Sequence, residues 1–210
     1  MKAEEYEAWY GTPRGAWIAA REFALMMRLL QPEKGTSLLD VGCGTGQFSR
    51  RFAAYGLRVA GLDPDAGMLH HARSLAGGVD YIEGRSEALP FADATFDYCA
   101  AVTSLCFVQD PARALAEMWR VARRAVVLGL LNRHSLLYHR KRGRGGYAGA
   151  RWDRVADVRR WAAVLSPPPK MRWGSAVFLP GGGPAARLAE RLLPARLPWG
   201  GFLAVVLEKP

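Results

Sequence analysis

The chain has 210 residues, about half of them hydrophobic, which is enough for an α/β domain with a substantial core. Its formal net charge of +10 is uneven, because residues 1–105 carry a net charge of −3 and residues 106–210 carry +13. The basic second half fits a partner such as nucleic acid, an acidic small molecule or an anionic membrane surface. The alternative is that these cations form a solvated surface without a partner. No apolar run approaches the roughly 18 residues that a membrane-spanning helix requires.

The amino terminus and the cysteines predict a cytoplasmic protein. The first ten residues, MKAEEYEAWY, lack the basic start and the apolar stretch of a secretory signal. The three cysteines, Cys43, Cys99 and Cys106, are an odd number without metal-ligand spacing, so they predict reduced thiols and no metal site. No repeat or long linker divides the chain, which predicts a single domain over residues 1–210, and no feature predicts an oligomeric state.

Helix and strand signals alternate along the chain. Apolar spacing and start and stop residues predict helices at residues 16–30, 45–55, 65–76, 111–123, 152–165 and 184–193. Thr45 is the predicted N-cap of the second of these helices, and Pro111 lies in the first turn of the fourth. Strands are predicted by short apolar runs at residues 37–41, 58–62, 79–83, 96–102, 125–131, 172–179 and 201–208.

This alternation predicts an α/β fold with a doubly wound, mostly parallel sheet and right-handed crossovers. The last two strands extend the sheet beside the fifth strand. Ligands of such sheets bind at the carboxyl ends of the strands, which places Gly42 to Gly46, Asp63 and the residues after Val102 on one rim. Residues 1–35 are predicted to form an N-terminal helical cap.

The stretch LLDVGCGTGQF, from Leu38 to Phe48, leads from a strand into a glycine loop. A dinucleotide-binding loop has a third glycine where this chain has Gln47, and a phosphate-binding loop has a lysine that is absent here. Asp63 ends the second strand, and a carboxylate there accepts hydrogen bonds from both hydroxyls of a ribose. The loop therefore predicts a ligand with a ribose and no required diphosphate. Asp40 is predicted either to orient a cation such as an amino-acid ammonium or to cap loop amides.

Three stretches together resemble one enzyme family. LLDVGCGTGQF resembles the first motif of class I S-adenosylmethionine-dependent methyltransferases, and GLDPDAGML, residues 61–69, resembles their second motif. Residues 84–124 resemble the stretch of their small-molecule branch that reads like GDAEALPFPDNSFD and continues into a helix ending in E-x-x-R-V. That branch includes ubiquinone- and menaquinone-type biosynthetic methyltransferases. The resemblance covers residues 36–131, and it implies a Rossmann-like seven-stranded sheet of order 3-2-1-4-5-7-6, S-adenosylmethionine as cofactor and S-adenosylhomocysteine as product.

The resemblance also implies a role for each matching residue. It implies that Tyr6 and Tyr10 cover the cofactor, that Asp40 binds its ammonium, and that Gly42, Cys43 and Gly44 line its methionine part. It places Asp63 at the ribose and Pro64, Met68, Ser86 and Glu87 at the adenine. Val102 and Thr103 are placed at the methyl-donor end. The chain departs from the family at Arg85, where an acid is common. Because arginine cannot accept a hydrogen bond from the adenine amino group, Glu87, a backbone carbonyl or water must do so.

Methyl transfer from a sulfonium is an in-line displacement, so the enzyme mainly aligns the reactants and excludes water. A general base helps when the acceptor is a hydroxyl or an acidic carbon. His134, just after the fifth strand, is a weak candidate for this base, whereas His70 and His71 are predicted to lie on the surface or in packing. The residues after the fourth strand, VTSLCF, lack the Asn/Asp-Pro-Pro-Tyr motif of many DNA and protein-glutamine methyltransferases.

The basic, glycine-rich stretch 132–151 is predicted to be a surface excursion and not a core element. Residues 132–170 are predicted to form an acceptor-side insertion that acts as a small lid, and a solvated basic loop is the alternative. The cations of this segment, Arg140, Lys141, Arg142 and Arg144, fit a carboxylate or phosphate of the acceptor. Its aromatic residues, Tyr138, Tyr147 and Trp152, fit an aromatic acceptor or a nucleic-acid base.

These features predict a methyltransferase for a small-molecule acceptor, and they leave open whether that acceptor is lipid or quinone-like, anionic or membrane-associated. The alternatives are an RNA methyltransferase that uses the basic residues 132–160, and a non-catalytic protein that binds S-adenosylmethionine.

Overall fold

The structure is a computed structural model, and it describes residues 3–210. Its α-helices are α1 (Ala3–Gly11), α2 (Pro13–Leu30), α3 (Gln47–Tyr55), α4 (Ala66–Ser74), α5 (Pro111–Val121), α6 (Leu136–Lys141), α7 (Val155–Ala162) and α8 (Pro184–Leu192). Its strands are β1 (Ser37–Val41), β2 (Arg58–Asp63), β3 (Asp80–Glu83), β4 (Phe96–Val102), β5 (Ala122–Leu131), β6 (Lys170–Ala176) and β7 (Phe202–Glu208). Among these helices, none is both long and apolar enough to cross a bilayer.

The seven strands form one sheet in the order β3-β2-β1-β4-β5-β7-β6. Strands β1 to β5 pair in parallel, and β7 runs antiparallel to both β5 and β6. The order and the mixed direction confirm the Rossmann-like, mostly parallel sheet that the sequence predicts. Since β1, β2 and β4 are neighbours, their carboxyl ends form one rim.

Two apolar layers cover the two faces of the sheet. Successive side chains of a strand point to opposite faces, so Leu38 of β1 packs in one layer with Phe52 of α3, and Leu39 packs in the other with Leu115 of α5. All of these side chains are fully buried, and each contributes roughly 1.5–3 kcal/mol to folding. Strand β1 is therefore fixed from both sides, and so is the position of the loop that follows it.

The amino-terminal region is more helical than the apolar spacing predicts. Residues 3–11 form α1, and α2 begins at Pro13 with Thr12 as its N-cap, whose Oγ1 accepts a hydrogen bond from the backbone N–H of Gly15 at 3.0 Å. The prediction that Thr45 caps the next helix is wrong. Gly46, with a φ of +76°, is the N-cap of α3, and Thr45 instead donates its hydroxyl to Oε2 of Glu7 at 2.6 Å.

The prediction that residues 132–151 lie wholly on the surface is wrong at their start. Asn132 and Ser135 are buried, and Nδ2 of Asn132 donates to the carbonyl oxygens of Pro198 and Gly200, both at 2.7 Å. Ser135 caps α6 by accepting a hydrogen bond from the backbone N–H of Tyr138. These polar groups are buried because each finds a partner, which anchors the segment to the sheet before it reaches the surface.

Candidate functional site

The glycine loop follows β1 at the rim. Gly42, Gly44 and Gly46 have φ values of +73°, +54° and +76°, a conformation that side chains strongly disfavour. At Gly42 space is limiting as well, because a β-carbon there would lie 2.4 Å from Cβ of Ser104. The backbone N–H groups of Gly42 and Cys43 both donate to the carbonyl oxygen of Leu62, at 2.6 and 3.0 Å, so the loop is tied to β2.

Asp63, at the end of β2, faces this loop. Its Oδ2 accepts the backbone N–H of Gly44 at 2.8 Å, and its Oδ1 accepts that of Asp65 at 2.9 Å. Burial raises the pKa of Asp63, and the two backbone hydrogen bonds oppose that rise. Since a carboxylate oxygen has two lone pairs, each oxygen keeps one for a ligand hydroxyl. The carboxylate is thus oriented by the backbone before any ligand binds.

Asp40 is a second carboxyl beneath the loop. It is 1% exposed, and its Oδ2 accepts the hydroxyl of Ser49 at 2.6 Å. Burial raises the pKa of Asp40 to about 7, the Ser49 hydrogen bond opposes the rise, and the negative charge of Asp63 adds to it. A cation bound at the loop would favour the ionised form, as the expected role at an ammonium requires.

The residues predicted at the adenine lie at the ends of β2 and β3. Ser86 is buried and donates its hydroxyl to Oε2 of Glu87 at 2.9 Å. Nη2 of the exposed Arg85 lies 3.8 Å from Oε1 of Glu87. Pro64 is exposed, and Met68 is half-buried in α4. Glu87 is therefore a carboxylate held in place by its neighbours, in the part of the site where Arg85 replaces the acid that is common in the family.

The end of β4 carries the residues predicted at the methyl-donor end. Val102 is buried, and Thr103 has a φ of +50°, which is strained for a β-branched residue. The backbone N–H of Thr103 donates to the carbonyl oxygen of Gly129 at 2.7 Å. The hydroxyl of Ser104 donates to the carbonyl oxygen of Val41 at 2.8 Å. These bonds tie β4 to β5 and β1 and hold the strained residue at the rim.

Helix α1 lies against the glycine loop. A β-carbon at Gly44 would lie 4.0 Å from Cε1 of Tyr6, and the hydroxyls of Tyr6 and Tyr10 are hydrogen-bonded at 3.0 Å. Burial raises the pKa of Tyr6 to about 12. Tyr10 is 7% exposed and packs edge-on against Phe48, so it belongs to the core while Tyr6 faces the loop.

The helix is fastened there by Glu7, which accepts hydrogen bonds from Thr45 and from Arg50 at 2.6 and 2.5 Å. Glu7, Ser49 and Ser104 are contacts that sequence reasoning missed. Each is a common polar residue in or beside a helix or strand end, and only the folded contact distinguishes it from a surface residue.

Other predicted residues lie elsewhere. His134 is exposed, and within residues 3–210 its ring makes no hydrogen bond. The prediction that Trp152 is free to stack on an acceptor is wrong, because Trp152 is 7% exposed and its ring packs against Tyr138 and Tyr147 at centroid distances of 5.5 and 5.4 Å. The hydroxyl of Tyr138 accepts a hydrogen bond from the exposed Arg142 at 2.7 Å, and this bond lowers the pKa of Tyr138.

These residues fit a nucleoside that carries a charged amino-acid group. The glycine loop leaves open backbone where side chains would fill the space, the Asp63 carboxylate is oriented for a ribose, and Asp40 is a buried anion-forming group beside the loop. A diphosphate finds no lysine in the loop to neutralise it.

Comparison with known proteins agrees with this geometry. Residues 39–128 match the family model described as a methyltransferase domain. Together with the sheet order, this match confirms the resemblance of this region to the class I S-adenosylmethionine-dependent methyltransferases. S-adenosylmethionine is the cofactor of that family.

Relatives of this region have several acceptors in their names. The chain is 38% identical over 98 residues to a malonyl-[acyl-carrier protein] O-methyltransferase of Pectobacterium atrosepticum, with 47% of this chain and 39% of that protein covered. It is 43% identical over 89 residues to a demethylmenaquinone methyltransferase of Renibacterium salmoninarum, with 42% of this chain and 38% of that protein covered. The chain thus spans about two fifths of the length of these curated relatives.

A solved structure extends the likeness to the whole chain. It is an S-adenosylmethionine-dependent methyltransferase of Thermotoga maritima, described as a possible histamine N-methyltransferase, with a TM-score of 0.75 and 26% identity. The alignment covers 99% of this chain and 96% of that one, so residues outside the matched domain also follow a known methyltransferase fold.

Proposed function

We propose that this chain transfers a methyl group from S-adenosylmethionine to a small-molecule acceptor. The observation that carries the proposal is the Asp63 carboxylate, fixed by the backbone of Gly44 and Asp65 beside an open glycine loop in a methyltransferase domain. Relatives named for malonyl-[acyl-carrier protein] and demethylmenaquinone support an acceptor that is a metabolite, free or carrier-bound.

The residues bind and orient the reactants, and the cofactor supplies a methyl group that its sulfonium charge already activates. Asp63 binds the ribose hydroxyls, Asp40 acts on the ammonium, and the backbone of Gly42 to Gly44 lines the methionine. Glu87 accepts the adenine amino group in place of the missing acid at Arg85. Tyr6 covers the loop and excludes water, which protects the reactive sulfonium and raises the strength of the surrounding electrostatic interactions.

Residues 132–170 form the acceptor side of the site in this proposal. Their buried start at Asn132 and Ser135 gives the segment a fixed base on β5. Their exposed middle contains Gly143, Gly145 and Gly149 with positive φ, which gives it the freedom to close over an acceptor. The free, buried thiols of Cys43, Cys99 and Cys106 support a reducing compartment and hence a cytoplasmic location.

The proposal is tested in two steps. Calorimetry with S-adenosylhomocysteine measures whether the cofactor site exists, and saturable one-to-one binding is expected. A methyl-labelling assay on extract that has been fractionated into metabolites, lipids, RNA and protein then identifies the acceptor class. Label in the metabolite or lipid fraction, or on the bound group of a carrier protein, supports the proposal. Label in RNA alone, label on a protein side chain, or binding without any label contradicts it.

A further inference from the structure

The connection between β6 and β7 lies at the carboxyl-end rim of the sheet. Ala176 at the end of β6 and Leu131 at the end of β5 both pair with Phe202, the first residue of β7. Residues 177–201, which include α8, therefore leave and re-enter the sheet where β5 ends. Since β5 is parallel to β4, and β4 to β1, this is also the edge that carries the glycine loop. The connection is thus a surface element on the same rim as the candidate cofactor site.

The inner face of α8 is fixed by Glu190. Its Oε2 accepts the backbone N–H of Val177 at 2.9 Å and that of Phe178 at 3.2 Å. Ala186, one turn earlier on the same face, is buried. Glu190 is the one acidic residue between positions 177 and 201. Because its carboxylate is turned towards the protein, the outer face of this helix has no negative charge.

The outer face of α8 is apolar. Leu188 and Leu192 lie one turn apart on it and are 57% and 71% exposed. Trp199, in the turn before β7, is 58% exposed. A single exposed leucine is ordinary, but several large apolar side chains on one helix and its adjoining turn mark an interaction surface.

The turn that contains Trp199 is held by buried hydrogen bonds. Nδ2 of the buried Asn132 donates to the carbonyl oxygens on both sides of Trp199, those of Pro198 and Gly200. A β-carbon at Gly200 would lie 2.4 Å from the carbonyl oxygen of Ala176, so the turn packs closely on the end of β6. The indole of Trp199 is therefore exposed on a well-fixed backbone.

Arginines border these apolar residues. Arg187 and Arg191 lie one turn apart on α8, each next to one of the two leucines, and Arg196 follows before the turn. All three are exposed, and within residues 3–210 none of them takes part in an ion pair. Leucine, tryptophan and arginine together are typical of a segment that lies in the interface of a membrane. We call this set the α8 surface: Arg187, Leu188, Arg191, Leu192, Arg196 and Trp199.

More positive charge lies beside the α8 surface. Leu137 of α6 packs on the end of the turn, since a β-carbon at Gly201 would lie 3.1 Å from Cδ2 of Leu137. The exposed Arg140 and Lys141 follow on the same short helix. An anionic bilayer attracts each cation that comes within about one Debye length of it. The basic residues of α6 and the α8 surface thus favour the same charged partner.

We propose that the α8 surface docks on an anionic lipid bilayer. Its leucines and its tryptophan enter the boundary between headgroups and acyl chains, and its arginines bind lipid phosphates. A second copy of the chain fits this surface less well, because a symmetric contact brings the arginines of both copies together with no acid to pair them. The rim that carries the glycine loop then lies next to the membrane. Docking needs no methyl transfer, so this inference goes beyond the proposed function and does not rest on it.

Sedimentation of the full chain with lipid vesicles tests the proposal. Vesicles of phosphatidylcholine and phosphatidylglycerol in equal parts should bind the protein at least about tenfold more tightly than vesicles of phosphatidylcholine alone. Added salt should weaken the binding, because it screens the arginines. Equal binding to the two kinds of vesicle, or binding to neither, overturns the proposal.

The variant L188Q/L192Q removes the apolar part of the surface and keeps every charge. It should bind the mixed vesicles at least about tenfold more weakly than wild type. V164Q is the matched control, because Val164 is 75% exposed just after α7, whose buried side chains pack on the other face of the sheet from Val177. V164Q should bind as wild type does. If L188Q/L192Q binds as tightly as V164Q, the proposal is wrong.

The variant R187Q/R191Q removes two charges and keeps the apolar part. It should bind the mixed vesicles about tenfold or more weakly than wild type. R28Q/R159Q removes the same charge from exposed positions of α2 and α7, and it should lose at most about twofold. Equal losses in the two variants would show that net charge alone acts, and the α8 surface would have no role in docking.

Lipids that are brominated near the headgroup identify the docked surface. They should quench the fluorescence of wild-type protein, and W199F should lose most of that quenching. The chain has seven tryptophans. Unchanged quenching in W199F therefore places a different surface on the bilayer and contradicts the proposal.

Light scattering and calorimetry separate the remaining outcomes. If wild type is a dimer and L188Q/L192Q is a monomer, the α8 surface is an interface between two copies, and the proposal is overturned. The same oligomeric state in both leaves the surface free for the bilayer, as proposed. Both arginine and leucine variants should bind S-adenosylhomocysteine within about twofold of wild type, which shows that they are folded. If wild type itself does not bind it, the proposed function fails while the vesicle result stands.

Discussion

Gly44 and Asp63 hold each other in place across the rim of the sheet. The backbone N–H of Gly44 donates to Oδ2 of Asp63 at 2.8 Å, so the loop after β1 and the acid at the end of β2 form one unit. A conformation with positive φ aims that N–H at the carboxylate, which explains why a glycine is found at this position. Ligand hydroxyls bound by Asp63 are thereby positioned relative to the loop that lines the rest of the ligand.

The first prediction concerns Asp63→Asn. The amide keeps the shape of the side chain but loses the charge and one acceptor oxygen, and charge-assisted hydrogen bonds contribute about 1.5–3 kcal/mol. We expect D63N to bind S-adenosylhomocysteine about 10- to 100-fold more weakly by calorimetry. Asp65→Asn is the matched control, because Asp65 is exposed, caps α4, and asparagine caps helices equally well. Equal affinities of D63N and wild type would remove the ribose role of Asp63.

The second prediction separates backbone strain from crowding in the loop. Gly42→Ala introduces a β-carbon at φ +73° and 2.4 Å from Cβ of Ser104, whereas Gly35→Ala introduces one at φ +79° with no atom within 4 Å. G35A should lower the free energy of unfolding by about 1–2 kcal/mol, the conformational cost alone. G42A should lower it by about 2–5 kcal/mol because crowding adds to that cost. Urea unfolding measures both, and equal losses would show that Ser104 moves aside freely.

The sheet could be predicted from the sequence because its strands are buried on both faces. Such strands appear as unbroken apolar runs such as SLLDV and FDYCAAV, and both runs coincide with the observed strands β1 and β4. Of the last two strands, β7 is an apolar run within one residue of its predicted bounds, whereas β6 spans Lys170–Ala176 instead of the predicted 172–179 and has an exposed start. Helix starts were less predictable, because they depend on one backbone conformation: Gly46 at positive φ displaces the start of α3 from Thr45 to Gln47.

The site could be predicted only where residues of one motif act together. Gly42, Gly44 and Asp63 lie on the same rim, as their spacing indicates. Glu7 could not be found in this way, because it lies 38 positions before its partner Thr45 and has an ordinary explanation as a surface residue of a helix.

The third prediction concerns the strained residue at the donor end. Thr103 has a φ of +50°, and Ala94, in an exposed turn, has +51°. Glycine relieves such strain but adds freedom to the unfolded chain, so both T103G and A94G should raise the free energy of unfolding by between about 0 and 1 kcal/mol. If the strain at Thr103 positions the acceptor, T103G should lose roughly tenfold or more in turnover. A94G should keep its turnover, and a fully active T103G would show that the strain has no role in transfer.

The fourth prediction follows from the raised pKa of Glu22, which burial places at about 8 in the folded chain. An unfolded glutamate ionises near pH 4.3. Between these values the folded state binds the proton more tightly, so the stabilisation present below about pH 4 is lost as the pH rises towards 8. E22Q has no such proton. The unfolding free energy of E22Q minus that of wild type should therefore rise by roughly 2–4 kcal/mol between pH 4.5 and 8 and then level off.

Urea unfolding at several pH values measures this difference. Asp40 remains in both proteins, so its own titration, with a pKa of about 7, cancels to the extent that the two sites are independent. E5Q is the matched control, since it makes the same chemical change at Glu5, which is exposed on α1. A flat difference for E22Q would mean that Glu22 titrates like a surface carboxylate and that burial does not raise its pKa.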